Sequence, residues 1–173
     1  MQRSAVEDWL SDPFAFLGSH DGSVRTYQPG AAAVEVIARA NGRVVSRLEE
    51  VSPGLFVGRM KKPIGYRLRV IWPGGVQDTE DAYAFGPVLG ELDLHLFGEG
   101  SHFELASRMG AAPVTHEGCK GVAFSVWAPN ARQVSVIGEF NAWDRRRHPM
   151  RSRGASGVWE LFVPRLQPGE RYK

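Results

Sequence analysis

The sequence predicts a mostly β protein, built as two tandem immunoglobulin-like β-sandwiches joined by a connector with a short helix. Three observations predict it. A stretch occurs twice at a spacing of 100 positions: Pro29 falls on Pro129, Ala31 on Ala131, Val34 on Val134, and Val36-Ile37 on Val136-Ile137. Each copy is an alternating strand, a Pro29-Gly30 or Pro129-Asn130 turn, and a second alternating strand. The chain's 20 glycines and 11 prolines sit between short β-like runs, as a many-turned β fold requires. No segment before residue 85 has the apolar period of a long helix.

The elements follow in order. Residues 8–17 form a short leading segment broken by Pro13, whose Phe14, Phe16 and Leu17 can dock on a sheet. Residues 24–27 and 34–38 alternate as strands. Asn41-Gly42 then stands between Val36-Ile37 and Val44-Val45, a two-residue hairpin signal. Residues 54–58 make a short strand between turn formers. In residues 66–72, Tyr66, Leu68, Val70 and Trp72 alternate with Arg67, Arg69 and Ile71, and Pro73-Gly74-Gly75 turns the chain back into residues 76–81. These residues, 1–82, are the first sandwich.

Residues 83–113 break the β pattern and read as the connector. Phe85, Leu89, Leu92, Leu94, Leu96 and Phe97 make it too apolar for a floppy linker. Ser101 with Glu104 has the form of a capping box, and Gly110 that of a helix stop, so one short helix is expected over residues 102–109. Residues 114–173 are the second sandwich, with strands at 122–127, 134–137 and 158–163 and an incomplete one at Tyr172-Lys173. Gly54-Leu55-Phe56 pairs with Gly157-Val158-Trp159, and Tyr66-Arg67 with Tyr172-Lys173. The first copy continues through Leu68, Val70 and Trp72, whereas the second stops after Lys173. The chain therefore reads as an N-terminal part of a longer protein.

Composition narrows the function. Hydrophobic residues are 43% and charged residues 23%, ordinary values for a globular protein. A net charge of +2 does not argue for nucleic acid. The one dense basic run, Arg145-Arg146-Arg147 followed by Arg151 and Arg153, reads as a solvated loop, with contact to an acidic partner as a further reading. The single cysteine, Cys119, permits neither an internal disulfide nor a cysteine-built metal site. Residues 1–10 hold no signal-like apolar run and no membrane span is read, so the cytoplasm is the expected location.

No catalytic site is legible. Asp78, Glu80 and Asp81, then Glu91 and Asp93, fall in loops and linker rather than across a cleft that would hold a catalytic carboxylate pair. His20, His95, His102, His116 and His148 show no metal-ligand spacing. No catalytic residue, metal or cofactor is expected. Aromatic residues remain. Trp159 alternates with Leu161 and Val163 as core, and Trp127 points opposite to Phe124 and Val126. Trp143 lies just after a strand among turn formers, where its ring can stack on the apolar face of a glucose unit while Asn141 bonds hydroxyls. The bland alternative is that Trp143 folds back to cap the sandwich.

The run from Phe124 to Ala131, followed by Val134 to Asp144 with its Phe140-Asn141-Ala142-Trp143 turn, resembles a family 48 carbohydrate-binding module. The segment from Glu80 to Gly100 resembles the bacterial 1,4-α-glucan (glycogen) branching enzymes, as does the extra β-domain ahead of the module. The resemblance runs from about Asp12 to Lys173. It implies a parent that cuts an α-1,4-glucan and rejoins it through an α-1,6 bond in a glycoside hydrolase family 13 (β/α)₈ barrel, whose catalytic residues lie outside this chain. It also implies that the tryptophan of the Phe-Asn-x-Trp turn, here Trp143, and the lysine of the Tyr-Lys strand, here Lys173, are sugar contacts. The expected partners are α-1,4-glucan or glycogen and the parent's barrel, with no nucleic acid and no membrane. The alternative is a docking scaffold without sugar affinity.

Overall fold

The computed structural model describes residues 8–62, 64–102 and 104–173. It is mostly β and divides into two compact units. One holds Phe14–Ala84 with Trp9, the other Phe85–Lys173 with Leu10–Pro13.

A short helix α1 (Pro13–Phe16) leads into the seven strands of the first unit. They are β1 (Gly18–His20), β2 (Ser23–Tyr27), β3 (Ala33–Ala38), β4 (Val44–Ser52), β5 (Leu55–Arg59), β6 (Tyr66–Trp72) and β7 (Gly75–Thr79). They pair antiparallel in the order β1-β2-β5-β4-β3-β6-β7. β4 turns this one sheet into two layers. Its first half pairs with β3 from Val44 to Leu48, and from Glu49 onward it pairs with β5, past an irregularity between Glu50 and Ser52. Such a bulge bends a strand and lets it pass between layers. Val24, Val34, Val36, Leu48, Phe56, Leu68 and Val70 face inward and are buried. That is the even-numbered face of β3 and β6 which alternation predicts. The connection around Asn41-Gly42 spans residues 39–43 rather than two residues, with Gly42 left-handed at φ 68°.

The buried acids near the end of this unit are structural. Tyr66 Oη donates to Asp81 Oδ2 at 2.6 Å, and burial pushes that carboxyl above its ordinary range. Arg39 pairs with the buried Glu80 at 2.6 Å.

The second unit holds α2 (Glu91–Gly98), α3 (Leu105–Arg108), β8 (Gly110–His116), β9 (Cys119–Trp127), β10 (Arg151–Ser152) and β11 (Val158–Pro164). The four strands pair as β10-β11-β9-β8. β9 and β11 run antiparallel from Trp127 opposite Val158 to Gly121 opposite Pro164. β11 is buried from Val158 to Val163, so both of its faces are covered. One cover is the segment expected to be a connector. Phe85 packs edge-on against Phe162 with centroids 5.0 Å apart. Glu160, buried at 2% exposure, accepts from the Val88 and Leu89 amides at 3.2 and 2.9 Å and pairs with Arg153 at 2.6 Å.

Two expectations are corrected here. The helix expected over 102–109 is the single turn α3, and Phe103 lies outside the described residues. A longer helix, α2, stands upstream, where none was expected. Its start lacks a capping side chain, since Gly90 precedes it, and Asp93 alone reaches back to the Gly90 amide at 3.1 Å. Ser101 closes that helix instead of capping the next, because its amide donates to Leu96 O at 3.0 Å. Residues 134–137, expected as a strand, hold the isolated bridge of Ser135 with Pro149, and Gly138 just after them bridges Tyr172. Pro149 has no N–H to extend a ladder.

Candidate functional site

The three residues singled out in the sequence meet around one turn, but not in equal roles. The turn follows residues 134–138 and is held from inside by Asn141. This side chain is fully buried. Its Oδ1 accepts from the Gly138 amide at 2.9 Å, and its Nδ2 donates to Val136 O at 2.8 Å and to His148 Nδ1 at 3.0 Å. Every polar group of Asn141 is therefore used within the chain. Asn141 faces inward and fixes the turn that carries Trp143.

Gly138 O accepts from the Asn141 amide at 3.2 Å and from the Trp143 amide at 2.9 Å. Closing the turn this way puts Ala142 and Trp143 in the left-handed region, at φ 55° and 59°. Two successive non-glycine residues there are strained, and surrounding structure must hold them. Asn141 supplies that hold, with Phe140, whose ring stacks on Phe124 at 6.4 Å and meets His148 edge-on at 5.5 Å. The Trp143 ring emerges 47% exposed. Asp144 then accepts from Arg146 Nε and Nη2 at 3.0 and 2.9 Å, and that guanidinium holds its carboxyl below the usual range.

Lys173 lies against the same element. Its amide donates to Ile137 O at 2.7 Å and its carbonyl accepts from the Ile137 amide at 3.0 Å. Ile137 immediately precedes the turn, and the Lys173 side chain is exposed. Two residues back, Arg171 ion-pairs with Glu139 across the same pairing. Gly138 makes this approach possible, since a Cβ there would stand 2.4 Å from Arg171 O and 2.6 Å from Phe140 Cε1.

Sequence reasoning did not find His148 or Gly138 as supports of the site. His148 is half-buried, and burial together with Arg147 holds its imidazole down at about 4, so it stays neutral and accepts from Asn141. The only sequence signal for Gly138 was a glycine at a strand end. The other tryptophans fall elsewhere. Trp159 is core, and its Nε1 donates to Ala128 O at 3.1 Å. Trp127 is 58% exposed beside Phe97. The acids considered for catalysis are each engaged: Asp78 with Arg69, Glu91 with Arg153, and Asp93 with His102. No helix among the described residues is long and apolar enough to cross a membrane.

Comparison with known proteins agrees with this division. Residues 4–83 match the family described as alpha-1,4-glucan branching enzyme GlgB, N-terminal domain. Residues 108–173 match carbohydrate-binding module 48 (isoamylase N-terminal domain). A 1,4-alpha-glucan branching enzyme of Rhizobium johnstonii is 54% identical over 173 residues, covering 97% of this chain and 24% of its own length. Those of Pseudomonas aeruginosa and Pseudomonas putida are 57% and 56% identical, each covering 94% of this chain and 23% of their own length. The chain thus spans about a quarter of these relatives.

Proposed function

Because this chain belongs to the N-terminal region of the GlgB branching-enzyme family, with a family 48 carbohydrate-binding module as its second part, we propose that its second unit binds α-1,4-glucan through Trp143 and Lys173. The relatives bear the name 1,4-alpha-glucan branching enzyme. On this reading the chain holds glucan for the remainder of such an enzyme and packs upon it. It supplies no catalytic group of its own.

One observation carries the proposal: a tryptophan ring stands half exposed on a strained turn whose interior polar groups are fully satisfied. A glucose unit offers an apolar C–H face and a polar rim. The indole takes the first by stacking, and an ammonium with three donors takes hydroxyls of the second. The turn holds the ring before the sugar arrives, so little ordering entropy is lost on binding. Asn141 acts as a positioning residue, not as a contact. The docking-scaffold reading draws on that same inward-turned amide.

Native gel mobility in glycogen tests this. The chain is expected to be retarded, and Trp143→Ala to bind glycogen about tenfold more weakly by the glycogen dependence of mobility, a loss of about 1.4 kcal/mol. Equal mobility of both folded proteins with and without glycogen returns the second unit to a docking role.

A further inference from the structure

We propose that the second unit carries a second α-glucan platform at Trp127, apart from the Trp143 turn. The choice of sugar rests on the glucan reading. The position rests on two matching strand ends and on the size of the surface left bare.

Both units end a strand and turn in the same way. Tyr27 closes β2 opposite Leu55, and Trp127 closes β9 opposite Val158. The next amide reaches across in both: Gln28 N donates to Gly54 O at 2.7 Å and Ala128 N to Gly157 O at 2.8 Å. The turns then close alike, Ala31 N donating to Gln28 O and Ala131 N to Ala128 O, each at 3.1 Å. Gly54 and Gly157 are left-handed, at φ 79° and 71°, and each lies against the proline of its turn, Pro29 or Pro129.

What covers the ring differs. Tyr27 is 6% exposed, because Trp9 packs on it with centroids 5.4 Å apart and stacks in turn on Phe16 at 6.1 Å. Trp127 is the larger ring, yet among the described residues its ring partner is Phe97, edge-on at 6.3 Å, and it stays 58% exposed. A Cβ at residue 157 would stand 3.0 Å from Trp127 Nε1 and 2.7 Å from Pro129 Cβ. Glycine there lets the indole edge rest on the turn, so the ring is placed before a ligand arrives and little ordering entropy is lost. The indole N–H of Trp159 donates to Ala128 O at 3.1 Å, whereas that of Trp127 has no acceptor among the described residues.

The bare area fits a sugar and not a protein. An aromatic side chain presents about 150–250 Å², so the exposed part of this indole is on the order of 100 Å². A stable protein interface takes about 800 Å² from each partner. Nearby exposed apolar side chains do not enlarge the surface. Val126 points to the opposite face of β9. Leu92 stands five residues before Phe97, about 140° around α2 from it. One glucose ring covers such a surface by laying its C–H face on the indole, and the free N–H donates to a hydroxyl of its rim. Trp127 lies within the residues that match the carbohydrate-binding module. Its turn precedes residues 134–138 and the Trp143 turn follows them, so the two rings stand at separate places and one unit can engage two branches. Two platforms then raise avidity for a branched polymer above that for a short linear glucan.

Nitrogen-15 NMR of the indole N–H signals of the full chain tests this, with maltoheptaose as the probe and Trp159 as internal reference. Maltoheptaose is expected to shift the Trp127 and Trp143 signals and to leave Trp159 in place. The Trp127 shift should persist in Trp143→Ala, and the Trp143 shift in Trp127→Ala. In glycogen gels Trp127→Ala should bind about fivefold more weakly, and the double variant should lose retention. An unmoved Trp127 signal beside a moving Trp143 signal overturns the proposal and leaves the glucan reading intact. So does unchanged retention in Trp127→Ala, which alters an exposed ring and keeps the fold. A Trp127 signal that moves with protein concentration and not with sugar assigns the ring to a second copy and overturns the proposal as well. If Trp127 moves and Trp143 does not, the Trp143 assignment falls and this one stands; if neither moves, both fall.

Discussion

At the scale of single residues, the candidate site is a case of one buried amide positioning one exposed ring. Asn141→Ala leaves the Gly138 N–H and Val136 O without partners. We expect it to cost about 2–4 kcal/mol, measured by urea unfolding, and to weaken glycogen retention although Asn141 is fully buried. Trp143→Ala should do the reverse, losing retention while leaving stability within about 0.5 kcal/mol. Gly138→Ala drives a methyl against Arg171 O and Phe140, and should destabilise by about 1–3 kcal/mol through overpacking. His148 gives the turn a pH dependence. Its imidazole titrates at about 4 when folded, against 6.5 ordinarily. Below about pH 6.5 the unfolded chain takes up a proton that the folded chain refuses. Stability is therefore complete above that pH and falls as pH drops toward 4, by roughly 2–3 kcal/mol. Thermal midpoints of the chain and of His148→Gln between pH 7 and pH 4 check this, with a shallower slope expected for the variant.

At the scale of elements, β11 shows why the region after residue 84 is no linker. A strand buried on both faces reads as a continuous apolar run, and Val158 to Val163 is one, interrupted by Glu160. That glutamate is tolerated because Arg153 neutralises it and two amides of the covering segment complete its hydrogen bonds. Arg153 also donates to Leu89 O at 2.6 Å and to Glu91 at 2.8 Å, so one ion pair fastens the start of α2 to the sheet. Glu160→Ala leaves the buried Arg153 only the exposed Glu91 and Leu89 O, and should destabilise the second unit by about 3 kcal/mol. Hydrogen exchange should show the amides of Val88 and Leu89 losing protection first, and unchanged protection there would count against the fastening role.

For the whole molecule, a net charge of +2 leaves no long-range field to drive binding. Part of the arginine run is internally neutralised, with Arg146 spent on Asp144 and Arg153 on Glu160. Glycogen retention should therefore stay within about twofold between about 50 mM and about 500 mM salt. A steep fall across that range would favour the acidic-partner reading of the run around Arg146. The mostly β fold was legible in the sequence because it rests on local signals. Period-two alternation, turn formers and a spacing of 100 positions place β2, β3, β5, β6, β9 and β11 and mark the repeat. The Trp143 turn was legible as a motif for the same reason. What tertiary structure decided was direction and partnership. Asn141 turns inward because Gly138, Val136 and His148 offer it bonds, and no property of the turn sequence states that. The segment from Phe85 to Glu91 belongs to the second unit because Glu160 and Arg153, more than 60 positions away, bind it. Patterning is a property of neighbours along the chain, whereas the satisfaction of buried polar groups depends on residues that only folding brings together.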